Sequence, residues 1–191
     1  MPRRLLIALL MGALLVCANS AFAKKHTKAA KAEVDAISTE YAKAVQLVNE
    51  RHWNDAIAAL TSIINNSATP ADMLPFAYTN RGTAYANKKM PNEALADLTK
   101  AIELKPDYTA AYYDRARILA MLNKHEEAVA DLTKAIEATK SGTVQAVYYK
   151  NRGLSYGAMG KLDEAKADFK KAKEIDPKVK VPEHYKPLLT Q

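Results

Sequence analysis

The stretch Ala96–Glu103, A-D-L-T-K-A-I-E, recurs letter for letter at Ala130–Glu137, 34 residues further on. A looser copy, A-D-F-K-K-A-K-E, occupies Ala167–Glu174. A second block precedes each copy: Asn80-Arg81-Gly82, Asp114-Arg115-Ala116 and Asn151-Arg152-Gly153. Self-similarity at a period of about 20–50 residues marks an array of one repeated unit. Such a unit buries its apolar face only against its neighbours, and the stack exposes an extended concave surface. The sequence therefore predicts a binding scaffold without naming its ligand.

Within a unit the apolar and small residues fall at helical spacing. Tyr78, Gly82 and Tyr85 mark one stripe, and Ala94, Leu98 and Ala101 mark another. These steps of three, four and seven belong to amphipathic helices, not strands. Asn87-Lys88-Lys89-Met90 forms the turn between them, and Pro91 opens the second helix, where its missing N–H costs little. Pro106 stops that helix.

This pattern resembles the tetratricopeptide repeat family. Tyr78, Gly82, Tyr85, Ala94, Leu98, Ala101 and Pro106 fill the family's positions in one unit. Tyr112, Ala116, Leu119, Ala128, Leu132 and Ala135 fill them in the next, with Lys140 in place of the proline. Tyr149, Gly153, Tyr156, Ala165, Phe169, Ala172 and Pro177 fill a third set. A degenerate unit carrying Ala44, Leu47, Ala56, Leu60 and Ile63 precedes them. The expected fold is an all-α helix–turn–helix solenoid of about four repeats. Its expected divisions are a degenerate unit at 37–70, full units at 75–108, 109–142 and 146–179, and a tail at 180–191. Small residues at Ala44/Ala56, Gly82/Ala94, Ala116/Ala128 and Gly153/Ala165 let the two helices of each unit cross closely.

The last unit differs from the others on one face. Ile57, Leu95 and Val129 correspond to Lys166, and Ile64, Ile102 and Ile136 correspond to Lys173. A terminal unit has no neighbour to cover that face, so Leu162–Ile175 reads as the capping helix. Pro182 and Pro187 argue against a further long helix, and Val179, Val181, Tyr185, Leu188 and Leu189 are expected to fold back.

The N-terminus reads as a secretory leader. Arg3 and Arg4 precede an apolar run from Leu5 to Cys17, and Ala21-Phe22-Ala23 ends in small residues at a cleavage site. The expectation is an exported protein, periplasmic or secreted, cleaved after Ala23, with a basic linker at 24–36 and no stable membrane span after cleavage. Val16 before Cys17 departs from the small residue that a lipidation site needs. The chain then keeps no cysteine, so no disulfide is expected. Removing Arg3 and Arg4 leaves 26 basic against 21 acidic residues, a net charge of +5. The excess gathers near the two ends and reads chiefly as solubilising charge. No nucleic-acid motif appears, and nothing calls for a metal or a cofactor.

Arg81/Asp97, Arg115/Asp131 and Arg152/Asp168 vary together along the array. The degenerate unit has Lys43 and Ala59 at those places, so each pair reads as a structural ion pair between the helices of its unit. The resemblance implies that the first helix of each unit lines the concave face. It places Phe76, Thr79, Asn80, Thr83 and Asn87 there, then Tyr113, Asp114, Arg117 and Met121, then Lys150, Asn151 and Leu154. Asn80 and Asn151 match the asparagine with which many family members hold a ligand backbone, since an amide both donates and accepts. Arg117 can take a carboxylate in two hydrogen bonds. Thr79, Thr83 and Leu154 stand where a clamp for a terminal carboxylate wants polar or cationic side chains, so that clamp is incomplete.

Catalysis finds no support. His52 and His125 read as surface residues of equivalent inter-helix turns, His26 and His184 are isolated, and no nucleophile or phosphate-loop motif appears. The expected function is a non-catalytic scaffold or adaptor binding a protein or peptide. Self-association into a structural module, or binding of an anionic envelope polymer, are the other readings left open.

Overall fold

The computed structural model describes residues 27–140 and 142–190, and among these it is all-helical. Helix α1 covers 27–49. It is followed by α2 (Trp53–Asn65), α3 (Leu74–Asn87), α4 (Pro91–Leu104), α5 (Thr109–Met121), α6 (His125–Ala138), α7 (Thr143–Ala158) and α8 (Leu162–Ile175). A short 3-10 turn, Glu183–Tyr185, leads to α9 (Pro187–Thr190). The expected leader and its cleavage point at Ala23 lie outside the described residues. Residues 27–36 of the expected basic linker are helical and continuous with the helix expected from 37. No helix among the described residues is long and apolar enough to cross a membrane.

The helices pair as hairpins, α3 on α4, α5 on α6 and α7 on α8, and each hairpin packs on the one before it. First helices also touch one another, α3 against α5 and α5 against α7, whereas second helices are not packed on each other in this way. The array therefore curves with the first helices inside. Its core is apolar side chains at the predicted spacing: Leu60, Leu98, Leu132 and Phe169 are buried almost completely. At Gly153 an added methyl group would lie 2.9 Å from the Phe169 ring. The equivalent Ala116 faces the smaller Leu132 within its core cluster, which is why a side chain fits there.

The turn between the two helices of each unit contains one residue with a left-handed backbone: Arg51, Lys89, Asn123 and Gly160. Acidic residues then occupy the first turn of the second helix, as Asp55, Glu93, Glu126 with Glu127, and Asp163 with Glu164. Negative charge there complements the helix dipole.

The C-terminal end is closed by the tail. Val179 and Val181 are buried, and Tyr185 and Leu189 pack on the same cluster as Phe169. A methyl group added at Gly157 would lie 2.5 Å from Cζ of Tyr185. Gly157 is the counterpart of Ala86 and Ala120, which in the earlier units face the first helix of the following unit. Tyr185 therefore stands where a further first helix would pack.

Candidate peptide-binding groove

The arginines of the array are held on the side of the first helices that faces the second helices. Arg81 donates to both carboxylate oxygens of Asp97 at 2.8 Å, and its third nitrogen donates to Thr61 Oγ1 at 3.0 Å. Arg115 repeats this with Asp131 at 2.7 Å and Thr99 at 3.0 Å. Arg152 repeats it with Asp168 at 2.8 Å and Thr133 at 3.0 Å. Each guanidinium thus joins the second helix of its own unit to the second helix of the unit before. Tyrosine rings lie within 5.4–5.9 Å of these groups, Tyr78 and Tyr85 at Arg81, Tyr112 at Arg115, and Tyr149 and Tyr156 at Arg152. Bonding to the aspartates raises all three guanidinium pKa values further, against the cost of partial burial. The threonines are the part that the sequence reading missed. Their signal was present: the last unit has Lys170 at the place of Thr99 and Thr133, and no arginine follows it.

On the inner face the predicted residues fall into three rungs. Asn80 donates to Tyr41 Oη at 2.8 Å and to the Phe76 carbonyl at 2.9 Å, so both of its amide hydrogens are engaged. Phe76 meets Tyr108 edge-on, with centroids 4.9 Å apart, and carries Lys105 above its ring. In the middle rung Thr83 donates to the Thr79 carbonyl and lies 3.3 Å from Asp114. Arg117 reaches the same carboxylate at 3.4 Å and lies over the Tyr113 ring at 5.8 Å. Asn87 donates to the Thr83 carbonyl. In the third rung Tyr113 lies beside Tyr148, with ring centroids 5.1 Å apart, and its phenol faces Asn151. Asn151 also donates to the Val147 carbonyl. Tyr41–Asn80 and Tyr113–Asn151 are equivalent pairs one unit apart from the middle rung. Lys150 is half-buried and joins none of these contacts.

The two asparagines expected to hold a ligand backbone are therefore spent largely on the scaffold. Burial pushes the Asp114 carboxyl above the usual carboxylate range, with Arg117 and Thr83 opposing that only in part. Burial likewise raises the Tyr41 and Tyr113 phenols. Two side chains of this face are well exposed at its centre, Arg117, whose side chain is 53% exposed, and Met121, which is 77% exposed. They border two cavities. One, of 410 Å³, lies among α5, α6 and α7 and is walled by Ala116, Ala120, Leu132 and Leu154 with Asn151 and His125 at its edge. The other, of 130 Å³, lies between α3 and α5 and reaches Asp114 and Asn87. His125 is not the surface turn residue that its position suggested. It is half-buried, and its Nδ1 has no hydrogen-bond partner among the described residues. No grouping suited to a metal ion occurs among the described residues.

Tetratricopeptide repeat models match residues 75–108 and 146–179, and a further tetratricopeptide repeat model matches 98–130. Serine/threonine-protein phosphatase T of Trypanosoma brucei brucei is 33% identical over 76 residues, 40% of this chain and 15% of that protein. The chain spans less than a fifth of the length of the curated relatives it matches, 18% of one and 15% of the other. Among solved structures, MamA is 27% identical with a TM-score of 0.64, covering 80% of this chain and 82% of that one. The first repeat domain of Spaghetti (RPAP3), bound to the HSP90 peptide SRMEEVD, is 26% identical with a TM-score of 0.53. It covers 56% of this chain and 82% of that one.

Proposed function

We propose that this chain, a member of the tetratricopeptide repeat family, is a non-catalytic adaptor that holds a linear segment of a protein partner along α3, α5 and α7. The observation that carries this reading is the exposed pair Arg117 and Met121 between two cavities, on a face where most other polar groups are internally bonded. A rigid concave face with a few unspent side chains binds at low entropic cost. The similar RPAP3 repeat domain, which is bound to a peptide of HSP90, supports a peptide ligand. Any reaction in the pathway is performed by the partner. Residues 1–23 support export, with the adaptor acting in the periplasm or outside the cell.

In-cell crosslinking with mass spectrometry tests this. The wild type is run beside the triple variant Asn87→Ala, Arg117→Ala, Met121→Ser, which spares the rung residues Asn80 and Tyr113. A discrete partner captured by the wild type and lost by the variant is expected. Equal capture by both moves the site away from the groove. Capture of the chain itself, in a sedimenting oligomer, favours the structural-module reading. Capture that vanishes with added salt, whichever protein is used, favours an anionic polymer. Sequencing of the mature N-terminus checks export, with Lys24 as the expected first residue.

A further inference from the structure

Met121 is the most exposed large apolar side chain among the described residues. It borders three cavities at once: the 410 Å³ and 130 Å³ spaces already described and a third of 190 Å³ beside Ile118, Leu122 and Pro91. An exposed thioether ringed by unfilled apolar walls is poorly placed in water and well placed to adapt to an incoming side chain. The largest of the three is of a size that takes a bulky side chain, in the range of about 300–1,000 Å³ common for ligand sites. The charged side chains lining the three cavities are Arg117, Lys89 and Asp114. Arg117 borders the largest directly, and Lys89 stands at the edge of the third cavity with no ion pair among the described residues. Asp114 borders the 130 Å³ cavity and is turned toward Thr83 and Arg117.

We propose that the groove selects an internal segment of its partner in which a bulky apolar residue, seated in the cavity beside Met121, lies next to an Asp or Glu taken by Arg117. This rests on the groove reading above and names the chemistry of its ligand. Arg117 makes only a 3.4 Å contact with Asp114, so its fork remains available for a better-aligned carboxylate. That carboxylate belongs to an acidic side chain within the segment, paired with the single cation lining the cavity, Arg117.

The test is a selection from random 12-residue peptides displayed with flanking sequence at both ends, so that no free C-terminus is offered. The target is the chain Lys24–Gln191. Enriched peptides, remade with amidated ends, are measured on the wild type, on Met121→Ser and on Arg117→Gln, with circular dichroism to verify that both variants fold. The expected result is a shared apolar–acidic pair and a loss of affinity of tenfold or more on each variant. Peptides that lose affinity on both variants yet carry no acidic residue overturn the proposed chemistry and leave the groove reading standing. No enrichment, or binding unchanged by both variants, overturns the two together. Self-association that Met121→Ser abolishes overturns the proposal by seating a second copy of the chain in the cavity.

Discussion

Arg81, Arg115 and Arg152 meet their surroundings in one way, whereas the groove-facing residues beside them do not. Each arginine is bonded to an aspartate sixteen residues on and to a threonine of the preceding unit, at nearly the same distances. On the groove side the equivalent places hold Asn80, Asp114 and Asn151, and only the outer two find a tyrosine. The repeated contact is what any stack of these units needs. The unrepeated one breaks the symmetry at α5, and the exposed arginine and methionine sit at that break. Uniform contacts hold the solenoid together, and the proposed ligand site falls where uniformity breaks.

The largest expected effect breaks the uniform side. Asp131→Ala leaves the Arg115 guanidinium, 22% exposed, without its carboxylate and next to a threonine only. Losing one partner of a buried pair costs about 3–5 kcal/mol, and partial exposure lowers that to about 2–3 kcal/mol here. Asp97→Ala and Asp168→Ala are expected to lose similar amounts in urea unfolding. If the three differ widely, or all fall below about 0.5 kcal/mol, the uniform side is not the support that its geometry indicates.

Next comes Gly153→Ala, where the new methyl group meets the Phe169 ring. Overpacking costs about 1–3 kcal/mol, partly offset by alanine's helix preference of about 1 kcal/mol. Adding Phe169→Leu recreates the Ala116/Leu132 combination of the preceding unit and is expected to recover most of the loss. A double variant no more stable than Gly153→Ala would mean that the two units are not interchangeable at their crossings.

Much of this was readable in the chain, and the reasons for what was not are physical. The period, the small crossing residues and the co-varying Arg–Asp pairs are properties of one unit, so the letters within a unit suffice to read them. The threonine bond crosses a junction between units, and Thr99 reveals its purpose only beside Lys170, where no arginine follows. Asn80 is expected at a ligand backbone because it matches the asparagine that family members use there, and its bond to the scaffold was not foreseen. Its partner Tyr41 lies in the degenerate unit, where no pattern flagged it. Helix over 27–36 was not foreseen, because lysine and alanine form helix readily even where no core requires it, and residues 27–33 are exposed along their whole length.

On the groove side a smaller effect separates the rungs. Tyr113→Phe keeps the stack on Tyr148 and removes the hydroxyl that faces Asn151, at an expected cost of about 1 kcal/mol if the two are bonded as Tyr41 and Asn80 are. Tyr41→Phe removes the equivalent bond to Asn80 and should match it. Equal losses would make these two rungs part of the scaffold. A clear inequality would assign the weaker rung to ligand contact instead.

The middle rung gives the smallest effect and one of opposite sign. Asp114 carries a folded-state pKa raised by burial, so the folded chain binds its proton more readily than the unfolded chain does. Above the folded pKa the charged carboxylate therefore costs stability. That cost fades as pH falls toward the ordinary value of 3.8 and is gone below it. The groups facing it are Arg117, Thr83, Tyr108 and Tyr113; Arg117 and Thr83 favour the charge, and neither overcomes the burial. Asp114→Asn keeps a partner for Thr83 and is expected to be slightly more stable than wild type at neutral pH, with the gap closing on acidification. A residue that weakens its own fold at neutral pH fits a place where the array is shaped for a ligand and not for itself. If Asp114→Asn is destabilising at neutral pH, its charge belongs with the supports on the other side of the helix.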